Sequence, residues 1–495
     1  MNVTIILLVF ILYTILLFTV SYFATRKTNN ESFFTGNRKS PWYVVAYGMI
    51  GASLSGVTFM SVPGYVQSTH FTYMGVVIGY MVGYVVIAFL LLPLYYKLNL
   101  TSIYSYLERR FGASSSTTGA LFFIISRLLG SALRLYLAVF VLHEFVFQYW
   151  GIPFWVPAVV FIVLILAYTL KGGIKAVVWT DTLQTTFMLL ATVITIYFIL
   201  RRLDMSLFDL LNNASQYGYT QLVEWDWKSN NYLWKQIASG AFITIAMTGL
   251  DQDMMQKNLT CRSLKDAQKN MLSLSVAILF VNILFLSLGV ALLYYMQSSG
   301  LSIPSKSDSI FPMVAFNLGL PTAVAFMIGL VAAAYSSADG TLTSLTTTFC
   351  YDFLHFDKRS DMDETSKTKI RKKVHIGFAV LYLVIMVAFK PFHNDSLIKT
   401  IFDIASYTYG PLLGLYSFGL FVKKRNPNSK AVPVIAVLSP VLCIVLNRYS
   451  ETLLWGYKFG FEMLIVNGLI TFVSLLLFSR SDIQEKNSMT ASKLK

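Results

Sequence analysis

The 495 residues are 56% hydrophobic and only 13% charged, with 39 Lys+Arg against 24 Asp+Glu and a formal net charge of +15. Soluble domains are about a quarter charged, so a chain this long and apolar lacks the polar surface to cover a water-soluble globule, and a lipid bilayer is its expected solvent. The basic excess excludes no fold but argues against a nucleic-acid partner, because the Lys and Arg residues lie in short segments between apolar runs.

Apolar runs long enough to cross roughly 30 Å of hydrocarbon recur near 3–23, 43–67, 71–96, 116–147, 152–170, 175–200, 236–255, 268–296, 321–352, 373–391, 398–422, 431–447 and 460–479. The expected architecture is an all-α polytopic membrane protein of about 13 spans. Met1 to Phe23 is too long for a signal-peptide core and lacks a basic flank and a clear cleavage site, so it reads as a retained first span. The longest segment outside the spans, 201–235, is rich in Asn, Trp and Tyr and reads as a short helix with a covering loop. The tail after Phe478 is polar, and residues 481–495 read as a disordered cytoplasmic end.

Charge asymmetry sets a direction. With the N-terminus outside, 28 of the 39 Lys+Arg fall inside, nine outside and two within a span. The inside set includes Arg38 and Lys39, Arg109 and Arg110, Lys257, the cluster Lys358 to Lys373 and the run Lys423 to Lys430. The positive-inside rule then places the C-terminus in the cytoplasm of a multi-pass protein of the cell (inner or plasma) membrane. Cys261, Cys350 and Cys443 form neither a disulfide framework nor a metal-ligand spacing. His70, His143, His355, His375 and His393 sit at span ends or in loops with no paired metal spacing, which argues against an intramembrane enzyme.

Interruptions of the apolar pattern locate the chemistry. The second span carries Gly48, Gly51, Ser53, Ser55, Gly56 and Thr58 within eleven residues. Such a run fits either local unwinding around a cavity, with carbonyls free for a cation, or close helix packing through small residues. In the ninth span Ala333, Ser336, Ser337 and Gly340 share one helical face. Carbonyl and hydroxyl oxygens of this kind suit a small hard cation such as Na⁺. Asp339 lies at mid-span, and Asp181 lies roughly 10 Å inside the sixth. An ionised carboxylate at that depth costs at least about 2.5–3.5 kcal/mol and needs a cation, a proton or water. In the fourth span Arg127 and Arg134 share a face two turns long, and each suits either a substrate contact or an internal salt bridge.

The segments Glu31-Ser32-Phe33-Phe34-Thr35-Gly36-Asn37-Arg38, Ser53-Leu54-Ser55-Gly56-Val57-Thr58, Gly172-Gly173-Ile174-Lys175-Ala176-Val177-Val178-Trp179-Thr180-Asp181, Gly249-Leu250-Asp251-Gln252-Asp253 and Ala333-Ala334-Tyr335-Ser336-Ser337 together resemble the sodium:solute symporter family of sodium–sugar, sodium–proline and sodium–sialic-acid cotransporters. The resemblance implies a LeuT-like core of two inverted five-helix repeats within residues 43–425. The first span and inside loop (1–42) and two last spans (426–480) are then peripheral. It implies a sodium site made by the carbonyls of Gly51, Leu54 and Ala333 and the hydroxyls of Ser336 and Ser337. Some members hold a second sodium beside the aspartate matching Asp181. Here the facing positions are Asp339 and Gly340, which departs from the family's hydroxyls and suggests a second cation site containing Asp181, Asp339 and Gly340.

A solute site at the same depth would be lined by Ser53, Ser55 and Thr58, with Arg134 and Arg127 beside it. In the sialic-acid branch a fourth-span arginine grips the ligand carboxylate. The ungapped match puts Gly130 at that position, and Val76-Val77-Ile78 where that branch has a glutamine. Sugars, acidic sugars and small carboxylates all remain open as the imported solute. The implied activity is sodium-coupled symport by alternating access, with Na⁺ as the coupling ion and a monomer in the bilayer as the unit. A proton-coupled transporter using Asp181 or Asp339, or a transporter-like sensor, is the alternative.

Overall fold

Backbone in hydrocarbon must satisfy its own hydrogen bonds, and this chain does so almost wholly with helices. The computed structural model describes residues 3–26, 29–216, 218–304, 306–359, 361–389 and 397–481. The expected disordered tail therefore lies almost entirely outside the described residues, as does His393. In chain order the helices are α1 Val3–Ala24, α2 Asn30–Thr35, α3 Trp42–Thr69, α4 Met74–Val86, α5 Leu92–Lys97, α6 Ser105–Phe111, α7 Ala113–Leu142, α8 Trp155–Leu203 and α9 Leu207–Gln216. They continue as α10 Leu233–Thr244, α11 Gln252–Leu259, α12 Leu264–Ser298, α13 Ile310–Asn317, α14 Leu320–Thr348, α15 Glu364–Ala388, α16 Leu397–Phe421, α17 Ala431–Leu453 and α18 Met463–Leu477. A short antiparallel pair, β1 Arg425–Pro427 with β2 Ser479–Ser481, ties the end of α18 to the loop before α17.

Among the described residues, eight helical stretches are long and apolar enough to cross a membrane. One of them is two spans. α8 runs for 49 residues, with Gly173 at φ 51°, ψ −141° in its interior. Phe10 stacks on Phe161 at 5.6 Å and Tyr13 meets Phe187 at 5.2 Å. In a straight helix Phe161 and Phe187 would stand about 39 Å apart, whereas Phe10 and Tyr13 are neighbours on α1. The chain therefore folds back at Gly173, which separates the runs read at 152–170 and 175–200. A Cβ at Gly173 would lie 2.4 Å from Cδ2 of Phe33 and 2.6 Å from its carbonyl oxygen. Both the positive φ and that contact require glycine.

Two other helices are interrupted, and these interruptions shape the centre. α3 breaks at Ser55, which has φ 42° and ψ 167°, within the glycine- and serine-rich run where unwinding or close packing was expected. The run read at 236–255 is also broken. α10 ends in a widened turn, Ile245–Gly249, and the chain is non-helical at Leu250 and Asp251 before α11 begins. The carbonyls near this break are not left bare: the Tyr95 hydroxyl donates to Gly249 O at 2.8 Å and that of Tyr104 to Leu250 O at 3.0 Å. Asp251 caps α11, accepting from Met254 N at 3.1 Å.

α14 is the axis of the bundle, buried along most of its length, and it packs on α8, α3 and α7. α1 lies against α8, and α17 and α18 lean on α16, outside that centre.

Gly173→Ala combines a left-handed Ala, at about 1–2 kcal/mol, with overpacking against Phe33, at about 1–3 kcal/mol. It is expected to lower the thermal midpoint of the detergent-purified protein by several degrees. Gly377→Ala, where an added Cβ meets nothing within 4 Å, is expected to leave the midpoint unchanged.

Candidate cation and solute site

The break in α3 lies against α14. A Cβ at Gly56 would sit 3.6 Å from Ala334 N, and one at Gly51 would sit 3.5 Å from Ser336 Oγ and 2.6 Å from Thr185 Oγ1. Gly51 therefore has to be glycine for α3, α8 and α14 to meet. Its N–H donates to Thr185 Oγ1 at 3.0 Å. Gly51 is thus brought to Ser336 where α3 faces α14, and Gly51, Leu54, Ala333, Ser336 and Ser337 are all buried. The Ser336 hydroxyl donates to Asp181 Oδ1 at 2.6 Å, and the Ser337 carbonyl accepts from Ser131 Oγ and Thr341 Oγ1. The Ser337 hydroxyl has no hydrogen-bond partner among the described residues.

Asp181, Asp339 and Gly340 also lie close to this point, but in different company from that expected. Lys257 Nζ is 2.9 Å from Asp181 Oδ2 and 3.5 Å from Asp253 Oδ1, with all three side chains 2% exposed or less. Lys257, counted from the sequence among the inside-loop cations, is therefore a core residue, and its ammonium is paired with Asp181. Asp339 Oδ2 accepts from the Tyr168 hydroxyl at 2.8 Å, with Thr180 and Gln184 at 3.4 Å. Gly340 faces Asp253, whose Oδ1 would lie 2.4 Å from an added Cβ.

On the other side of α11, Arg127 grips Asp251 with two bonds, Nε to Oδ2 at 2.7 Å and Nη2 to Oδ1 at 2.6 Å. The same Nη2 is 3.4 Å from Asp253 Oδ2, and Tyr409 donates to Asp251 from α16. Of the two roles open for Arg127, the internal salt bridge is the one formed. Arg134 differs: it is half-buried and has no ion pair or hydrogen bond among the described residues.

Arg127 and Arg134 both line a cavity with Ser53, Ser55 and Thr58 of the broken α3. Ser55 and Thr58 hydroxyls are 3.4 Å apart. The polar groups that α4 brings are Tyr80 and Tyr84, with Tyr73 just before it. Tyr73, Tyr80 and Tyr84 share a helical face, and Tyr73 and Tyr80 hydrogen-bond at 3.1 Å. Val76 and Val77 are buried and Ile78 is exposed; none of the three lines the cavity. The tyrosine face was visible in the spacing once α4 was known to border the cavity. Asp251 and Asp253 were visible only as residues of a motif, and Lys257 only as an inside cation. His375, expected at a span end, is fully buried and bridges Thr169 and Thr346 at 2.9 and 2.8 Å.

This arrangement, an interrupted helix facing a serine pair beside a polar cavity, is that of an ion-coupled transporter. The sodium:solute symporter family model matches residues 33–432, and the chain belongs to that family. It is a membrane transporter coupled to sodium, not an enzyme. It is 26% identical over 493 residues to the sodium/sialic acid symporter NanT of Aliivibrio fischeri, covering 95% of each chain. It is 25% identical over 468 residues to the sodium/sialic acid symporter SiaT of Proteus mirabilis, covering 91% of each. The fold matches that of a solved Na⁺-coupled sialic acid symporter in a substrate-bound outward-open state, with TM-score 0.81, 23% identity and coverage of 96% of this chain and 97% of that one. Mhp1, a nucleobase-cation-symport transporter, aligns with TM-score 0.57 over 91% of this chain and 94% of its own.

Removing one partner of a buried ion pair strands the other charge, at about 3–5 kcal/mol. Asp251→Ala is therefore expected to lower the thermal midpoint strongly. The double variant Arg127→Met with Asp251→Leu is expected to recover most of it while transport stays lost. A single Asp251→Ala as stable as wild type contradicts the pairing.

Proposed function

We propose that the chain imports an anionic sugar or small carboxylate of the sialic-acid type, one molecule at a time, together with sodium. The observation that carries the solute class is Arg134: a half-buried guanidinium facing the cavity without a carboxylate of its own. A planar fork of donors fits a carboxylate in two bonds, and the names of the two bacterial relatives agree with that chemistry. Arg134, one turn from Gly130, takes the role that the sequence match had left to Gly130. Ser53, Ser55, Thr58 and the tyrosines of α4 supply hydroxyls for a polyhydroxy body, and Arg127 borders the site while holding Asp251.

The sodium ion in this reading is bound by the carbonyls of Gly51, Leu54 and Ala333 and the hydroxyls of Ser336 and Ser337. What supports it is that Gly51 of α3 meets Ser336 of α14, with all five residues buried. Sodium there ties the two helices, favours the form with an assembled solute site, and leaves when the inner side opens. Each ligand drives the cycle only through different affinity for the states it meets.

The transport core in this proposal is residues 43–425, a LeuT-like pair of five-helix repeats within about 13 spans. The two interruptions fall in α3 and at α10–α11, five spans apart, where the first helix of each repeat belongs. Residues 1–42 and 426–480 are peripheral. The N-terminus is outside, the C-terminus cytoplasmic, and the unit is a monomer in the cell membrane.

Sodium, and not potassium, is expected to raise the thermal midpoint of the purified protein. Ser336→Ala is expected to abolish that effect; a Ser336→Ala protein stabilised by sodium like wild type contradicts the site. In the presence of sodium, Arg134→Gln is expected to weaken N-acetylneuraminate binding about 10–100-fold, the loss of a charge-assisted pair of about 1.5–3 kcal/mol. Unchanged affinity contradicts the role of Arg134.

A further inference from the structure

We propose that the Lys257 ammonium is a resident cation that takes the place of a second metal ion at Asp181, so that the chain binds one sodium ion and not two. The inference rests on the sodium site described above and concerns its neighbour. Lys257 projects from α11 into the space between α8 and α14, where Asp181, Asp253 and Asp339 converge. Its Nζ contacts two of these carboxylates, at 2.9 Å on Asp181 and 3.5 Å on Asp253. The pair Asp253 and Lys257 is four residues apart on one short helix, which fixes the ammonium against the acid that Gly340 makes room for. A hydroxyl-bearing residue at 340 would collide with Asp253, so the wall there offers no hydroxyl to a second metal and instead admits a carboxylate for the lysine.

The consequence is electrostatic. Asp181 uses Oδ1 to accept from Ser336 and Oδ2 to hold Lys257. A metal ion at Asp181 would sit beside a buried ammonium that has nowhere to withdraw, since both are enclosed by protein. Removing the ammonium has the opposite effect. It leaves Asp181, Asp253 and Asp339 with Arg127, 3.4 Å from Asp253, as the one cation ion-paired to them among the described residues, and such a cage draws in a small cation from solution. Lys257 is accordingly a positioning residue: it orients Asp181, which in turn orients the Ser336 hydroxyl that the sodium ion uses.

The test counts sodium-22 bound at saturation by the purified full-length protein in detergent, with potassium holding ionic strength constant. Wild type is expected to bind one sodium per chain, and Lys257→Arg also one. Lys257→Gln is expected to bind two, with a steeper sodium dependence of its thermal midpoint. Two sodium ions on wild type overturn the proposal whether or not Lys257→Gln folds, and a Lys257→Gln protein that binds only one overturns it as well. Wild type that binds no sodium contradicts the α3–α14 sodium site itself, a different failure that is told apart by the count.

Discussion

Four carboxylates stand in the middle of this bundle, Asp181, Asp251, Asp253 and Asp339, each 2% exposed or less. Charges so placed have to be matched by groups that the fold itself delivers. Arg127 from α7 and Lys257 from α11 answer three of them, and hydroxyl and amide donors of α8 answer the fourth. The result is an unbroken line of polar contacts from Arg127, at the wall of the cavity, through Asp253 to Lys257, then Asp181, then Ser336, with Asp251 also held by Arg127. It crosses α7, α11, α8 and α14, so none of these helices moves against the others without opening an ion pair or carrying its partner along. A solute that rearranges Arg127 acts on the same network that orients Ser336.

The interrupted helices follow from the same requirement. A continuous α10–α11 would hold the nearby carbonyls in its own spiral. With the break at Leu250 and Asp251, the Asp251 carboxylate caps α11 while holding Arg127, and tyrosines from distant elements donate to the exposed Gly249 and Leu250 carbonyls. At Ser55 a non-glycine residue holds a positive φ, a strain of about 1–3 kcal/mol that persists where surrounding packing enforces it. Both breaks border the cavity.

Much of this was legible before any coordinates. Apolar length marks most spans, and the crowding of Gly48, Gly51, Gly56 and hydroxyls marks α3 as special. Gly172-Gly173 marks the reversal of α8. The serine pair and the arginine pair were visible as polar groups at membrane depth. What the sequence concealed depends on long-range geometry. The segment around Leu250 carries one glycine and no proline, so its break leaves little local trace. Lys257 follows a polar stretch and reads as a loop cation, because burial by α8 and α14 is not written near it. Asp339 finds Tyr168 from 171 residues away, a partner that no local pattern signals. The choice between salt bridge and substrate contact for Arg127 and Arg134 was open for the same reason: the acids that decide it lie on another helix.

The central claim is that sodium, moving down its gradient, carries a carboxylate solute past Arg134. The most direct measurement is uptake of labelled N-acetylneuraminic acid into proteoliposomes of the purified protein, comparing an inward sodium gradient with an equal potassium gradient and with a pH gradient alone. The account predicts concentrative uptake with sodium and none with the other two. Uptake that runs equally well on potassium or on protons contradicts it.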